Sequence, residues 1–375
     1  VKKFYVIAGE ASGDLHAANM MKSLKQKSQE TEFRFWGGDY MAAVAGEPVK
    51  HIKELAFMGF IEVVANLRTI LGNIRFCKND ILEYKPDAII LIDYPGFNLR
   101  IAKWAKQQGI KVIYYISPQV WAWKQKRVHE IKKVVDKMFV ILPFEKSFYA
   151  QFDIEVEYVG HPLLDAIDQY QDRIQEIDLR EKHNLDERPI IALLPGSRKQ
   201  EVNTKLPIML NSLKTFDEYQ FIVAGAPALD PEFYKPYMKD FDNIKIIHGA
   251  TYDILSLATA ALVTSGTATL ETALFRVPQV VCYKGSSISY QIAKRLIKID
   301  YISLVNLILN REAVKELIQS ECTPKNIKRE LIKVLPEGEK FDKLNADYNE
   351  LIKILGKGGA SDKVAEGILV FMDSE

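Results

Sequence analysis

Short apolar runs alternate with amphipathic stretches along the whole chain. In the first half they fall at 4–8, 88–93, 111–116 and 137–142, and in the second at 190–194, 220–224, 244–248, 260–264 and 279–283. Runs of this length, separated by helix-forming segments, predict parallel strands covered by helices on both faces. The halves also begin alike. Phe4–Ala8 runs into Gly9-Glu10-Ala11-Ser12-Gly13-Asp14, and Ile190–Leu194 runs into Pro195-Gly196-Ser197-Arg198. The expected architecture is α/β, with two Rossmann-like domains facing a cleft. Domain bounds are expected at 1–165 and 166–354, with the polar Asp165–Arg188 segment as linker. The tail from about Pro324 reads as helices, of which about 355–375 pack back on the first domain. A length of 375 residues suits two domains of ordinary size.

One stretch organises the second half. The apolar run ending at Val263-Thr264 meets Ser265-Gly266-Thr267, and helix-forming Ala268-Thr269-Leu270-Glu271 follows. This predicts a buried strand, a tight turn and a helix N-terminus. Ser265 or Thr267 can cap the helix, and Gly266 lets backbone approach a ligand closely. Free N–H groups at a helix start favour an anion, and Glu271, one turn on, can reach a sugar hydroxyl beside it. A pyrophosphate at the turn with a ribose at the carboxylate is one reading. An ordinary βα turn with a solvated Glu is the other.

Further candidates lie where strands end, which is where doubly wound sheets hold ligands. The Gly9–Asp14 loop is a candidate site, although Ser12 and Asp14 can simply cap the next helix. Asp93, in Ile92-Asp93-Tyr94-Pro95-Gly96-Phe97-Asn98, stands where a general base would sit, or caps the helix that follows. Trp121 and Trp123, followed by Lys124-Gln125-Lys126-Arg127, suit either a sugar and its phosphate or packing beside a solvated basic helix. Arg198, with Ser197 and Gly196, can grip a phosphate. His161 sits between Gly160 and Pro162, at the expected end of the first domain. Asn306 stands among apolar neighbours as a buried hydrogen-bonding group or a ligand contact. Asp240 and Asp242 only superficially resemble a metal-binding pair. Neither half carries G-x-G-x-x-G, so the dinucleotide fingerprint is missing.

Leu55–Phe76 needs separate treatment. Phe57, Phe60, Ile61, Val64, Leu67, Leu71 and Ile74 share one face at helical period, with Arg68 and Arg75 beside it. Such a face packs in a core or lies on an anionic membrane surface. No apolar run reaches the ~18 residues of a spanning helix, and the N-terminal run is too short for a signal peptide. Lys plus Arg number 50 and Asp plus Glu 49, so no global field favours nucleic acid. Three scattered cysteines argue for a reducing compartment and against a zinc site.

Taken in order, Gly9–Asp14, Ile92–Pro95, Ser117-Pro118-Gln119-Val120-Trp121-Ala122-Trp123, Leu194–Arg198, Ser265–Glu271 and Asp300-Tyr301-Ile302-Ser303-Leu304 resemble the lipid-A-disaccharide synthase family across essentially the whole chain. Gln119 and Val305 depart from the family pattern, which tends to a small residue and Pro there. The resemblance implies a GT-B glycosyltransferase that joins UDP-2,3-diacylglucosamine to 2,3-diacylglucosamine 1-phosphate, giving a β(1→6) disaccharide and UDP. It implies inversion, no metal and no cofactor, at the cytoplasmic face of the inner membrane. Under it Asp93 is the general base, accompanied by Glu10, Ser12, Asp14 and Asn306. Gly196, Ser197, Arg198, Ser265, Gly266, Thr267, Ala268 and Glu271 hold UDP. The Phe57–Leu71 face and the two tryptophans meet acyl chains, acceptor or membrane. A homodimer is left open. A UDP-N-acetylglucosamine 2-epimerase-like enzyme and a non-catalytic nucleotide-sugar-binding adaptor are the rival readings.

Overall fold

Thirteen strands are seen among the described residues, and every pairing between them is parallel. The computed structural model describes residues 1–55, 67–122, 125–174, 178–227, 229–239, 241, 243–285 and 300–374. The chain folds into two compact units. One comprises Val1–Asp165 and Lys357–Glu375, the other Ala166–Gly356.

In the first unit, β1 (Lys2–Ala8), β2 (Thr31–Gly37), β3 (Lys50–His51), β4 (Ala88–Ile92), β5 (Lys111–Tyr115), β6 (Lys137–Val140) and β7 (Glu157–Tyr158) form a sheet in the order β3-β2-β1-β4-β5-β6-β7. Alternation along β1 splits its side chains between two cores. Tyr5 and Ile7 pack with residues of the helices Leu67–Tyr84, Pro95–Gln107 and Val128–Val134. Phe4, Val6 and Ala8 pack with Ala17, Met20 and Met21 of Ala11–Lys27 and with Val364, Ala365 and Ile368 of the C-terminal helix Ala360–Asp373. A strand buried on both faces has no polar side, which is why it reads as a continuous apolar run. Asp165 holds the start of the C-terminal helix by accepting from the N–H groups of Gly359, Ala360 and Ser361, the last at 2.8 Å.

The second unit carries β8 (Ile190–Leu194), β9 (Gln220–Gly225), β10 (Ile244–His248), β11 (Ala258–Thr264), β12 (Gln279–Tyr283) and β13 (Lys315–Ile318), ordered β10-β9-β8-β11-β12-β13. Each sheet therefore reverses its direction of growth once, at β1/β4 and at β8/β11. Ligands bind beyond the strand ends at such a switch point.

The Asp165–Arg188 segment is not a plain linker. It takes in most of the helix Pro162–Ile174 and all of Leu179–Lys182, and Ala166, Ile167 and Tyr170 are buried. Their spacing is that of one helical face, which overrides the polar composition around them. Phe57, Phe60, Ile61, Val64, Trp123, Asp240 and Asp242 lie outside the described residues, as does the side chain of Leu67. Among the residues described, no helix is long and apolar enough to cross a membrane.

Candidate active site

Asp93 directly follows β4 at the first switch point. It and Tyr94 both adopt left-handed backbone, with φ of 43° and 50°. Two consecutive non-glycine residues in that region are strained, and such strain persists only where neighbours enforce it. Here they do. The Asp93 carbonyl accepts from Asn98 Nδ2 at 2.8 Å and from the Tyr114 hydroxyl at 2.6 Å. The Asp93 N–H donates to the Tyr115 carbonyl. Pro95 begins the next helix at a position where its missing N–H costs nothing.

The turn after β1 is shaped to fit this one. A Cβ on Gly9 would lie 2.4 Å from the Tyr94 ring, so only glycine lets the two turns close. Glu10 is the N-cap of Ala11–Lys27 and its charge acts on Asp93. Burial, and then the Glu10 charge, push the Asp93 carboxyl up to about 7, while a hydrogen bond from the Tyr94 backbone opposes the shift. The carboxylate is thus a stronger base than an ordinary aspartate.

Sequence reasoning missed Glu145, a third carboxylate at this end of the sheet. It is buried after β6 and accepts from Ser117 Oγ at 2.6 Å and from the Ile141 and Leu142 N–H groups at 3.1 and 2.8 Å. It therefore ties the turn after β5 to the turn after β6. Its burial raises its own pKa, and its charge adds to the rise at Asp93. In sequence it looks like any acid in the first turn of a helix.

Several expected site residues have other duties. The Asp14 carboxylate is buried and receives the N–H groups of Gly38, Tyr40 and Met41 at 2.7–3.1 Å, so it caps the helix Asp39–Ala45. Ser12 is exposed in the first turn of Ala11–Lys27 and does not cap it. Trp121 is buried, and its ring meets Phe144 edge to face with centroids 4.9 Å apart. His16 and His161 are buried as well. Desolvation pulls their pKa values down to about 4 and about 3, and neither retains the basicity of an exposed imidazole.

In the second unit, the turns after β8 and β11 flank the other switch point. Gly196 has φ 119°, and a Cβ there would meet Glu201 Oε2 at 2.4 Å. The Ser197 N–H donates to that same oxygen at 3.1 Å. Arg198 is exposed at the N-cap of the helix Lys199–Ser212. After β11, Gly266 rather than Ser265 or Thr267 is the N-cap of Thr267–Leu274. Its φ of 123° and open surroundings leave the turn accessible. Thr267 and Ala268 stand in the first turn, where N–H groups have no helical carbonyl to meet. The Glu271 carboxylate is half-buried, receives the Tyr252 hydroxyl at 3.0 Å, and is raised in pKa by burial.

Asn306 belongs behind this turn rather than in a site. It is fully buried; its Nδ2 donates to the Val314 carbonyl and to Glu316, and its Oδ1 accepts from the Ala313 and Val314 N–H groups. All four of its bonding positions are filled. Glu316 also receives the Ile302 and Ser303 N–H groups, and the Ile302 carbonyl accepts from Ser265 Oγ at 2.9 Å. The network anchors the Ser265 side of the turn.

On the helix Leu67–Tyr84, Arg68 is exposed, and so is 52% of Leu71, while Ile74 is buried. The described part of the expected apolar face is therefore divided between core and surface. Among the described residues, no group of three or more His, Cys, Asp or Glu side chains is arranged to hold a metal ion.

The lipid-A-disaccharide synthetase family profile matches residues 4–366. The lipid-A-disaccharide synthase of Syntrophus aciditrophicus is 39% identical over 97% of this chain and 96% of its own length. That of Nitrosococcus oceani is 37% identical over 99% and 96%. Among solved structures, UDP-GlcNAc 2-epimerase from Neisseria meningitidis bound to UDP-GlcNAc superposes with a TM-score of 0.71 over 98% of this chain and 100% of that one. At 14% identity, that likeness speaks only to a shared fold, the pair of Rossmann-like domains of the GT-B class. The match over nearly the whole length, with relatives well above 30% identity, settles the family: this chain belongs to the lipid-A-disaccharide synthases.

Proposed function

We propose that the chain transfers 2,3-diacylglucosamine from UDP to the 6-hydroxyl of 2,3-diacylglucosamine 1-phosphate, forming the β(1→6) lipid A disaccharide 1-phosphate and releasing UDP. The observation that carries this reading is Asp93: a carboxylate at a strand end, locked by its own backbone and pushed up to about 7. A sugar hydroxyl is far too weak an acid to ionise unaided near neutral pH. Asp93 accepts its proton as the oxygen bonds to the donor's anomeric carbon, and the bond to UDP breaks on the opposite side, inverting the configuration. Arg198 and the N–H groups after Gly266 offset the charge that gathers on the departing diphosphate, so the step needs no metal. Glu271 binds the ribose.

Incubating the protein with the UDP-linked donor and the lipid acceptor, then weighing the products, tests the reading. A new disaccharide with stoichiometric UDP is expected, unchanged by EDTA. A monosaccharide inverted at C2 would identify an epimerase, and no product at all an adaptor. EDTA-sensitive turnover restored by Mg²⁺ would refute the metal-free step.

Both substrates carry acyl chains, and the exposed Leu71 beside Arg68 suits a protein working at the anionic inner face of the inner membrane. Changing Phe60, Leu67 and Leu71 together to Ser is expected to release the protein from anionic vesicles without lowering its melting temperature. Each large apolar side chain is worth about 1.5–3 kcal/mol when buried. A triple variant that unfolds instead would assign the face to the core.

A further inference from the structure

Lys205 lies on the helix Lys199–Ser212 with only 3% of its side chain exposed. Lysine is almost never buried unless paired. Its amine donates to Thr264 Oγ1, at the last residue of β11, and lies 3.8 Å from Glu201 Oε1. The other Glu201 oxygen receives the Ser197 N–H and rests against Gly196. One continuous polar chain therefore runs from the turn after β8, through Glu201 and Lys205, to the turn after β11. The two strands are hydrogen-bonded neighbours, with Val263 paired to Leu194, so both turns leave the sheet side by side at the switch point.

We propose that Lys205 is a positioning residue of the donor site, a buried cation that holds the Gly196–Arg198 and Thr264–Gly266 turns in the spacing that a nucleoside diphosphate requires. The inference rests on the reading that these turns hold UDP. Two consequences follow from the contacts. The Thr264 hydroxyl accepts from the amine, which turns its own hydrogen away from Lys205. The ammonium also places a positive charge beneath the turns in a low-dielectric setting, already desolvated before the ligand arrives. The charged or titratable groups acting on the amine are Glu201 and Arg198 on its own helix and cap, Cys282 of β12, and Cys322 beyond β13. Burial lowers its pKa most, Glu201 and the cysteines oppose this, and Arg198 adds to it.

The test is UDP affinity by calorimetry from pH 7 to 10, with donor KM and kcat, on wild type, Lys205→Met, Lys205→Arg and Arg198→Ala. Lys205→Met keeps the apolar stem and loses the charge. It should raise the UDP Kd and donor KM about 10–100-fold, since a charge-assisted buried contact is lost, with the acceptor KM unchanged. Lys205→Arg should bind within a few-fold of wild type. Wild-type affinity should fall as pH rises through the lowered lysine pKa. Uracil loses a proton in the same range, so this limb is read as the difference from Lys205→Met. In Lys205→Arg it should vanish, because guanidinium stays charged.

A folded Lys205→Met that binds UDP within twofold of wild type overturns the proposal, as does a pH limb that persists in Lys205→Arg. If Lys205→Met does not fold, the limb is read as the difference between wild type and Lys205→Arg, which share the uracil titration; identical pH profiles for those two then overturn the proposal. Arg198→Ala separates the two levels: unchanged UDP binding there removes the donor-site reading itself, whereas its loss beside a normal Lys205→Met removes only the brace.

Discussion

Turnover by Asp93→Asn is expected to fall about 10²–10⁴-fold, the usual contribution of a general base. Asparagine keeps the size of the side chain, and the Asp93 carbonyl that Asn98 and Tyr114 hold is untouched, so the turn should survive. UDP affinity, which the proposal assigns to the second unit's turns, should stay near wild type. The pH profile gives an independent reading. A base raised to about 7 is half protonated at that pH, so wild-type kcat/KM should drop tenfold per unit below it. Burial is the main cause of the rise and Glu10 the next, so Glu10→Gln should move this limb to lower pH. Stability should change in the opposite sense to activity. For a carboxyl whose folded pKa is raised from 3.8 to about 7, the stabilising contribution is complete below the lower value and lost as pH climbs through the upper one. At pH 8 the wild type carries a poorly solvated charge that Asp93→Asn lacks, so the variant should melt a few degrees higher, with the gap closing under acid. Near-normal turnover in Asp93→Asn would remove it as the base. Equal loss of UDP affinity would make it a structural residue.

The strands that position these groups were legible because burial on both faces leaves an unbroken apolar run, as at β4 and β8. β2 was not: its first half alternates exposed Glu32 and Arg34 with buried Thr31 and Phe35 and half-buried Phe33, and Arg34 is satisfied by Asp80, a partner 46 residues away. Buried charges follow the same logic. Glu145, Glu316 and Lys205 resemble solvated surface residues until distant parts of the chain bring Ser117, Ser303 and Thr264 to them. Lys205 did leave a trace, since it occupies the apolar face set by Val202, Leu206 and Met209. Asp93 was visible at its strand end. Its left-handed backbone was not, because only the packing of Tyr94 on Gly9 and the bonds from Asn98 and Tyr114 impose it. Asn306 was noticed for the right reason, a polar group among apolar ones, yet its amide is consumed within the scaffold.

Arg198→Ala is expected to weaken UDP binding about 10–100-fold, because charged hydrogen bonds are worth about 1.5–3 kcal/mol. The assignment becomes sharp when UDP is compared with its parts. Arg198 and the turn after β11 would meet the diphosphate, so Arg198→Ala should weaken pyrophosphate and UDP alike and leave uridine unaffected. Glu271 would meet the ribose, so Glu271→Ala should weaken UDP and uridine but not pyrophosphate. The carboxylate already receives the Tyr252 hydroxyl through one oxygen, and a ribose hydroxyl can donate to the other. Burial raises the Glu271 pKa, which means that mild acid protonates it sooner than an exposed glutamate. Uridine affinity should therefore fall as pH drops, and Tyr252→Phe, by removing a bond to the charged form, should shift that fall to higher pH. Arg198→Lys keeps the charge but not the planar fork, and should recover only part of the loss. If Arg198→Ala weakens uridine as much as pyrophosphate, the arginine is holding the turn rather than the phosphate. If Glu271→Ala spares uridine, the ribose lies elsewhere on the unit.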